Sequence, residues 1–211
     1  MAARVSETFV LRTFPFREGD LIVSFFTRDL GKLRGVARRA RRPKSPFGSG
    51  LERLSQVRMA FFQKESAELV NLTSCELIQS QFGLGDEYAA SVALDFMTEI
   101  TEHLLPPNEP NEKFFRLLTA VLSYLRSGGN IWAALTYFSV WAVRLSGIWP
   151  EGRVCDESVE IAHEIFAMPV GELPAREWTK TTAQDLRRML VRAVEQHVER
   201  RMLTVPILET L

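Results

Sequence analysis

Residues 21–40 read LIVSFFTRDLGKLRGVARRA, and this stretch decides the fold of the first part of the chain. Residues 21–27 are mostly β-branched or aromatic, which favours a strand. Residues 29–32 have the composition of a hairpin turn, in which Gly31 can adopt a positive φ. Residues 32–40 predict the next strand, which becomes increasingly basic towards its end.

Three further strands lie on either side of this hairpin in the sequence. Residues 5–16 and 54–63 are rich in aromatic and β-branched side chains, and residues 67–72 continue the pattern towards Leu77. Within residues 54–63, Val57, Met59 and Phe61 alternate with Arg58, Ala60 and Phe62, which is typical of a strand with one buried face. Five short strands with no long helix between them predict a small barrel or a sandwich, and at about 80 residues a five-stranded oligonucleotide-binding (OB) barrel fits the size. Residues 41–51, which contain two prolines and two glycines, predict a loop.

After residue 82 the hydrophobic period becomes helical. Three long helices are predicted at residues 86–105, 111–126 and 131–146, with Asp86, Asn111 and Asn130 as their N-terminal caps. The third of these helices is apolar on nearly every side, which indicates a buried central helix.

The last part of the chain predicts two more helices. A short one is expected within residues 159–166, and Thr182-Ala183-Gln184-Asp185 resembles a capping box that opens the last helix. The sequence therefore predicts an α+β protein. Its five-stranded OB-fold barrel spans residues 1–82 and its all-α C-terminal domain spans residues 83–211.

The charge is divided unevenly along the chain. The 26 Lys and Arg balance 26 Asp and Glu, but residues 1–64 carry 14 basic and 5 acidic residues, and the remainder carries 12 and 21. The basic first part points to a polyanionic partner. Two cysteines are too few for a disulfide framework and indicate a reducing compartment. Because there is no secretory signal and no apolar run of ~20 residues, we expect a cytoplasmic protein that does not contact a membrane. Its being nucleoid-associated is a separate expectation.

Residues 32–45 are the strongest functional feature. They carry seven Lys and Arg within thirteen residues and no acidic residue. Charges this crowded repel one another unless phosphates lie among them, and arginine both grips phosphate oxygens and stacks on bases. The expected nucleic-acid-binding residues are Lys32, Arg34, Arg38, Arg39, Arg41, Arg42 and Lys44; the alternative is a solvated basic loop. Most phenylalanines of the first domain are expected in the barrel core, but Phe47, beside Lys44, is a candidate for base stacking.

No stretch of the sequence carries a catalytic signature. Gly83-Leu84-Gly85 lacks the third glycine of a dinucleotide fingerprint, and the three histidines lie far apart. The acidic cluster at residues 156–160 has no partners at metal-ligand spacing. We therefore predict a protein that is not an enzyme and binds no cofactor and no metal.

Two features of the helical domain leave alternatives open. Arg187, Arg188 and Arg192 give the last helix a basic side that either faces solvent or extends a nucleic-acid surface, with Glu195 and Glu199 diluting its charge. The long helices either bury one another or leave a groove for the hydrophobic tail of a partner.

The order and spacing of three stretches resemble the RecO family of bacterial recombination mediators. These stretches are Arg17-Glu18-Gly19-Asp20-Leu21-Ile22-Val23, Thr27-Arg28-Asp29-Leu30-Gly31-Lys32 and Gly35-Val36-Ala37-Arg38-Arg39-Ala40-Arg41-Arg42-Pro43-Lys44-Ser45. Leu145-Ser146-Gly147-Ile148-Trp149-Pro150 is similar to part of that family's C-terminal domain. The likeness is specific in the first 60 residues and weakens beyond residue 150.

The resemblance implies an N-terminal OB fold and a helical C-terminal domain. It implies binding to single- and double-stranded DNA, annealing of complementary strands, and assistance to RecA loading on gaps coated by single-stranded-DNA-binding protein (SSB). The implied partners are RecR and the acidic, hydrophobic C-terminal tail of SSB. The implied DNA contacts are the basic residues Arg34, Arg38, Arg39, Arg41, Arg42 and Lys44. Many relatives carry a four-cysteine zinc motif where only Cys155 stands here, so the zinc finger is expected to be lacking. Two rival functions are an RNA-binding OB-fold protein and a scaffold that binds proteins through its helical domain.

Overall fold

The computed structural model describes residues 3–63 and 68–211, which group into two compact units. The first unit contains Met1–Gly83 and Leu105–Phe115, and the second contains Leu84–Leu104 and Arg116–Leu211. The division into domains at residues 1–82 and 83–211 stays a prediction.

The first unit contains five strands. Their bounds are β1 Ala3–Phe16, β2 Asp20–Thr27, β3 Gly31–Ala37, β4 Gln56–Phe62 and β5 Val70–Gln79. They form a closed barrel in the order β1-β2-β3-β5-β4, in which β4 also pairs with β1 and the β3–β5 pair is parallel. This confirms the predicted OB-fold barrel.

The strand interiors follow the predicted alternation. Val57, Met59 and Phe61 are buried in the barrel, where they pack with Val23 and Phe25. Ala67, the predicted start of the fifth strand, lies outside the described residues; the described part of that strand runs on past Leu77, as expected.

The third strand is shorter than predicted. It ends at Ala37 rather than Ala40, because Arg39 takes a left-handed conformation with φ 55°. The turn before this strand confirms the role of Gly31, which has φ 78°. A Cβ at Gly31 would also lie 2.3 Å from the carbonyl oxygen of Glu109, so any other residue would clash there.

The other regular elements of the described chain are helices. They are α1 Phe82–Gly85, α2 Tyr88–Leu104, α3 Glu112–Arg126, α4 Ile131–Leu145, α5 Asp156–Ala167, α6 Gln184–Val198 and α7 Val205–Leu208, with a 3-10 turn at Val170–Glu172. In the second unit α4 packs against both α2 and α6, and most of its side chains are buried, as predicted. None of the helices in the described part of the chain is both long and apolar enough to cross a membrane.

Two of the three predicted caps on the long helices are confirmed and one is wrong. The side chains of Asn111 and Asn130 accept hydrogen bonds from the first turns of α3 and α4. Helix α2, however, begins at Tyr88, two residues after Asp86, because the short helix α1 forms first.

The predicted capping box before α6 is also wrong. The Thr182 hydroxyl donates to the carbonyl of Glu177 instead of capping the helix. Asp185 accepts hydrogen bonds from the backbone N–H of Cys155 (2.7 Å) and the hydroxyl of Ser158 (2.5 Å). The carboxylate therefore ties the start of α6 to the start of α5.

Candidate nucleic-acid interface

The basic loop comprises residues 38–55 and follows β3. Its first half is hydrogen-bonded to the turn between β1 and β2. The backbone N–H of Arg39 donates to Oδ1 of Asp20 (2.8 Å), and that of Arg41 donates to the carbonyl of Gly19 (3.0 Å). The side chain of Arg42 passes over Gly19, where a Cβ would lie 3.5 Å from its Nε. These backbone contacts hold the first half of the loop in place, and the charged side chains of the arginines in that half remain exposed.

The second half of the loop is fixed from inside the barrel. Phe47 is only 2% exposed and belongs to the barrel core, so its candidate role in base stacking is wrong. The Cys75 thiol donates to the Phe47 carbonyl (3.2 Å), and Gly50 lies so close that a Cβ there would be 2.5 Å from the same sulfur. Burial of Phe47 turns the loop back across the barrel.

Five of the six cations of the basic loop are exposed, and the sixth, Arg53, is half-buried. Arg38, Arg39, Arg41, Arg42 and Lys44 are all exposed. Among the described residues no carboxylate lies within 4.0 Å of their charged nitrogens. The nearby Asp20 carboxylate is engaged by a backbone N–H instead, and the five positive charges are not neutralised by ion pairs within this part of the protein.

A second group of residues lies on the outer surface of β1, β2 and β3. Strand pairing places Arg12 opposite Ser24, and Ser24 opposite Arg34. Residues paired across strands project from the same face, so Arg12 and Arg34 stand about 10 Å apart, two strand spacings, on the outside of the barrel.

The next row of this outer surface is apolar. Phe14 lies opposite Ile22, which lies opposite Val36. Phe14 is 41% exposed, so its ring is accessible to a ligand. Phe16 lies further along β1, and the Arg17 guanidinium stands over its ring at 5.1 Å. An aromatic row beside an arginine row is the arrangement that stacks bases and grips phosphates.

The structure therefore brings together the five predicted residues of the loop and separates the two that lie in β3. Arg34 is the middle residue of that strand, and Lys32 is its second residue, roughly 20 Å from Arg38 at 3.3 Å per residue. Lys32 is half-buried and pairs in a short bridge with Pro107.

Sequence reasoning missed Arg12 and Arg17 as members of this surface, and it counted Phe14 among the phenylalanines that could stack on bases but are mostly expected in the core. The pairing of β1 with β2 places Arg12 and Phe14 on this face, and Arg17 follows the end of β1. A usable signal existed in residues 12–16, where Arg12, Phe14 and Phe16 alternate as a strand with an exposed face would.

The second unit contains a groove of about 670 Å³ between α6 and the C-terminal segment. Its floor is apolar and includes Phe96, Trp132 and Leu135. Its rim carries five cations: Lys180, Arg187, Arg188, Arg192 and Arg201. The sequence left open a groove among the three long helices; this groove lies instead along α6, and α2 and α4 contribute only its floor. Its use by a partner stays a prediction.

The rim cations differ in their surroundings. The Arg187 guanidinium stands over the ring of Trp132 at 5.0 Å and donates to Thr136 Oγ1 (2.9 Å), and burial lowers its pKa to about 10. Arg188 forms an ion pair with Glu209 (2.9 Å). Arg192 and Arg201 are exposed, with no carboxylate within 4.0 Å among the described residues. The basic side of α6, for which the sequence left open whether it faces solvent or extends a nucleic-acid surface, forms part of the rim of this groove.

No group of three or more His, Cys, Asp or Glu side chains within residues 3–63 and 68–211 is arranged to hold a metal. Cys155 is exposed and lies at the start of α5, where its thiol is 3.3 Å from the Ser158 hydroxyl.

Comparison with known proteins matches both halves of the chain to one family. Residues 1–81 match the family described as recombination protein O N terminal, and residues 85–163 match recombination protein O C terminal. The DNA repair protein RecO of Koribacter versatilis (strain Ellin345) is 36% identical over an alignment of 240 positions that covers 98% of this chain and 98% of the relative.

More distant relatives match a smaller part. RecO of Halalkalibacterium halodurans is 32% identical over 71% of this chain and 58% of the relative. RecO of Syntrophus aciditrophicus (strain SB) is 28% identical over 73% of this chain and 60% of its own length. From the two matched halves and the nearly full-length likeness to the Koribacter protein, we conclude that this chain belongs to the RecO family.

Proposed function

We propose that this protein is a DNA-repair mediator that binds single- and double-stranded DNA and anneals complementary strands. In repair it would assist RecA loading on SSB-coated gaps, with RecR as a partner. Family membership supports the role in DNA repair, since the relatives are named DNA repair proteins. The observation that carries DNA binding is the group of five exposed cations without ion-pair partners beside the exposed Phe14.

In this mechanism the basic loop neutralises phosphates of two strands and lowers their mutual repulsion. Phosphate contacts position a strand without reading its sequence, so the bases remain able to pair. Arg12 and Arg34 would continue the phosphate track across the barrel, and Phe14 would stack on one base. Binding is therefore expected to be independent of sequence.

The first test is the salt dependence of binding to a single-stranded oligonucleotide. If ~5 phosphates are engaged, a plot of log affinity against log salt has a slope of about −3.5, from −0.7 per contact. A flat dependence contradicts the mechanism. Competition with an RNA oligomer of matched sequence distinguishes a DNA-binding from an RNA-binding protein.

The second test removes the loop charges. Changing Arg38, Arg39, Arg41 and Arg42 together to Ala is expected to abolish annealing while leaving the fold intact, since all four side chains are exposed. Arg4→Ala with Arg58→Ala is the control on the same barrel, because both are exposed arginines outside the basic loop. Retained annealing in the fourfold variant would place the site elsewhere.

The groove in the second unit supports a further part of the proposal, binding of the SSB C-terminal tail. That tail is acidic and hydrophobic, and the groove combines an apolar floor with a rim of five cations. Apolar side chains would enter next to Trp132 and carboxylates would meet Arg192 and Arg201, which are exposed and without ion-pair partners in the described chain. Complementary charge of this kind favours the encounter and the orientation of the peptide.

The test is binding of a synthetic SSB tail peptide to charge-reversal variants. Arg192→Glu with Arg201→Glu is expected to weaken binding by about tenfold or more, as repulsion replaces attraction. Arg153→Glu is the control, because Arg153 is an exposed arginine of the same unit that does not line the groove. Equal loss in both variants would contradict binding at this groove.

A further inference from the structure

The C-terminal segment that forms one wall of the groove is firmly held where it begins. The carboxylate of Glu99, a residue only 1% exposed, accepts hydrogen bonds from the N–H of Leu203 (2.8 Å) and the N–H of Thr204 (2.9 Å). The Thr204 hydroxyl donates to the same carboxylate (2.5 Å), and Glu195 accepts from the N–H of Met202 (2.8 Å). A buried carboxylate with three donors is among the stronger contacts that a protein makes.

The polar side-chain contacts at the far end of the same segment, in the part of the chain that the structure describes, are exposed, while Val205 and Leu208 are half-buried. The Glu209 carboxylate pairs with the Arg188 guanidinium at 2.9 and 3.2 Å, and Gln184 Nε2 lies 3.4 Å away. The Lys180 ammonium donates to the Glu209 carbonyl. The side chains of Arg188 and Glu209 are 53% and 37% exposed, and an exposed ion pair stabilises little. The segment is therefore anchored at its root and releasable at its tip.

The chemistry of this segment matches the ligand proposed for the groove. Val205, Pro206, Ile207 and Leu208 precede Glu209, so an apolar run is followed by an acid. Val205, Pro206 and Leu208 line the groove. The chain thus places its own apolar, acidic segment in the groove, with Glu209 on Arg188, a rim cation that an incoming acidic peptide would need in addition to Arg192 and Arg201.

We propose that residues 205–209 act as a built-in competitor for the groove, with Glu209 occupying Arg188 until an acidic peptide displaces it. This inference rests on the proposed function of the groove. Arg188 also holds the pKa of Glu209 below its ordinary value, so the carboxylate is charged at neutral pH and the contact is fully formed.

The competitor is tested by the affinity of the full-length protein for a synthetic SSB tail peptide. Glu209→Gln is expected to tighten binding about two- to fivefold, the range that corresponds to loss of one exposed ion pair. Glu160→Gln is the control, since it removes the same charge from an exposed position of α5 outside the groove. In an Arg188→Gln background the Glu209→Gln change is expected to add nothing. Unchanged or weaker binding by Glu209→Gln overturns the proposal.

Amide hydrogen exchange, measured without peptide, tests whether Glu209 holds the segment in place. Its outcome does not depend on whether the groove binds a peptide. The N–H groups of Glu209 and Thr210 donate to Val205 and Ile207 carbonyls within the segment. In Glu209→Gln these amides are expected to exchange at least about twofold faster, whereas those of Leu203 and Thr204, held by Glu99, are unchanged. If no variant binds the peptide, the proposed function of the groove is wrong. Hydrogen exchange then decides by itself whether Glu209 holds the segment in place. Unchanged exchange of these amides in Glu209→Gln would show that it does not.

Discussion

Cys75 and Phe47 are joined by a hydrogen bond from the thiol to the carbonyl oxygen (3.2 Å), which attaches the middle of the basic loop to β5. Burial raises the pKa of the Cys75 thiol to about 11, so the sulfur keeps its proton and remains a donor at neutral pH. Phe47 itself fills the barrel core. The loop that carries the cations is therefore also part of the hydrophobic interior.

Replacing Phe47 with Ala is expected to destabilise the barrel by about 3–5 kcal/mol, because it leaves a cavity in a packed core. The measurement is urea unfolding followed by circular dichroism. Phe14→Ala is the control, since that ring is exposed and its loss is expected to change stability by less than about 0.5 kcal/mol. Similar stability of the two variants would show that Phe47 is not a core residue.

The same Phe14→Ala change is expected to weaken binding of single-stranded DNA by about 1–3 kcal/mol, the usual effect of losing one base-stacking ring. Fluorescence anisotropy with a labelled oligonucleotide measures it. Phe82→Ala is the matched control, because Phe82 is an even more exposed phenylalanine, at 67%, that belongs to α1 rather than to the outer row of β1–β3. An equal effect of both changes would argue against stacking at Phe14.

Asp185 predicts a pH dependence of stability. Burial alone would raise its pKa, but hydrogen bonds from Ser158 and from the N–H groups of Cys155 and Leu186 outweigh burial and lower it below the ordinary 3.8. Because the folded pKa is depressed, the stabilisation is present above pH 3.8 and is lost as pH falls through the folded value.

Asp185→Asn is expected to cost about 1–3 kcal/mol near neutral pH, since donors on α5 lose a charged acceptor. The measurement is the thermal midpoint of both proteins from pH 6 to pH 2.5. The difference between them is expected to narrow below pH 4. A difference that stays constant over this range would mean that the Asp185 carboxylate does not supply the stabilisation.

Glu99→Gln is expected to destabilise the protein by about 1–3 kcal/mol, because the amide cannot accept all three hydrogen bonds and turns a donor towards Leu203 or Thr204. Thr204→Val removes only one of the three and is expected to cost less. Urea unfolding ranks the two, and faster amide exchange at residues 203 and 204 in Glu99→Gln locates the effect. A larger loss in Thr204→Val would reverse the assignment of Glu99 as the anchor.

The barrel could be predicted because its signals are local. The alternation of Val57, Met59 and Phe61 in β4 and the glycine at position 31 each report on neighbours a few residues away, and the structure confirms both. The end of β3 was missed because the left-handed turn at Arg39 is stabilised by Asp20, on another strand.

Features that depend on distant residues could not be predicted. Phe47 stands in a loop rich in proline and glycine, where no period marks it as buried, and its neighbour Cys75 belongs to β5. Glu99 and Thr204 are 105 positions apart, and an acidic residue within a helix gives no sign of so distant a partner. Lys32 shows the reverse case, since it is close to the basic loop in the sequence but lies at the other end of β3.

Phe47 and Leu54, both buried, fix the backbone of the basic loop to the barrel. This backbone cannot become disordered while the barrel stays folded, because the same segment completes the barrel interior. The conformational entropy of the loop backbone is therefore lost during folding, and only the exposed arginine side chains remain to be ordered when a ligand binds. If the loop binds DNA as proposed, the rate of association is expected to be set by diffusion and electrostatic attraction.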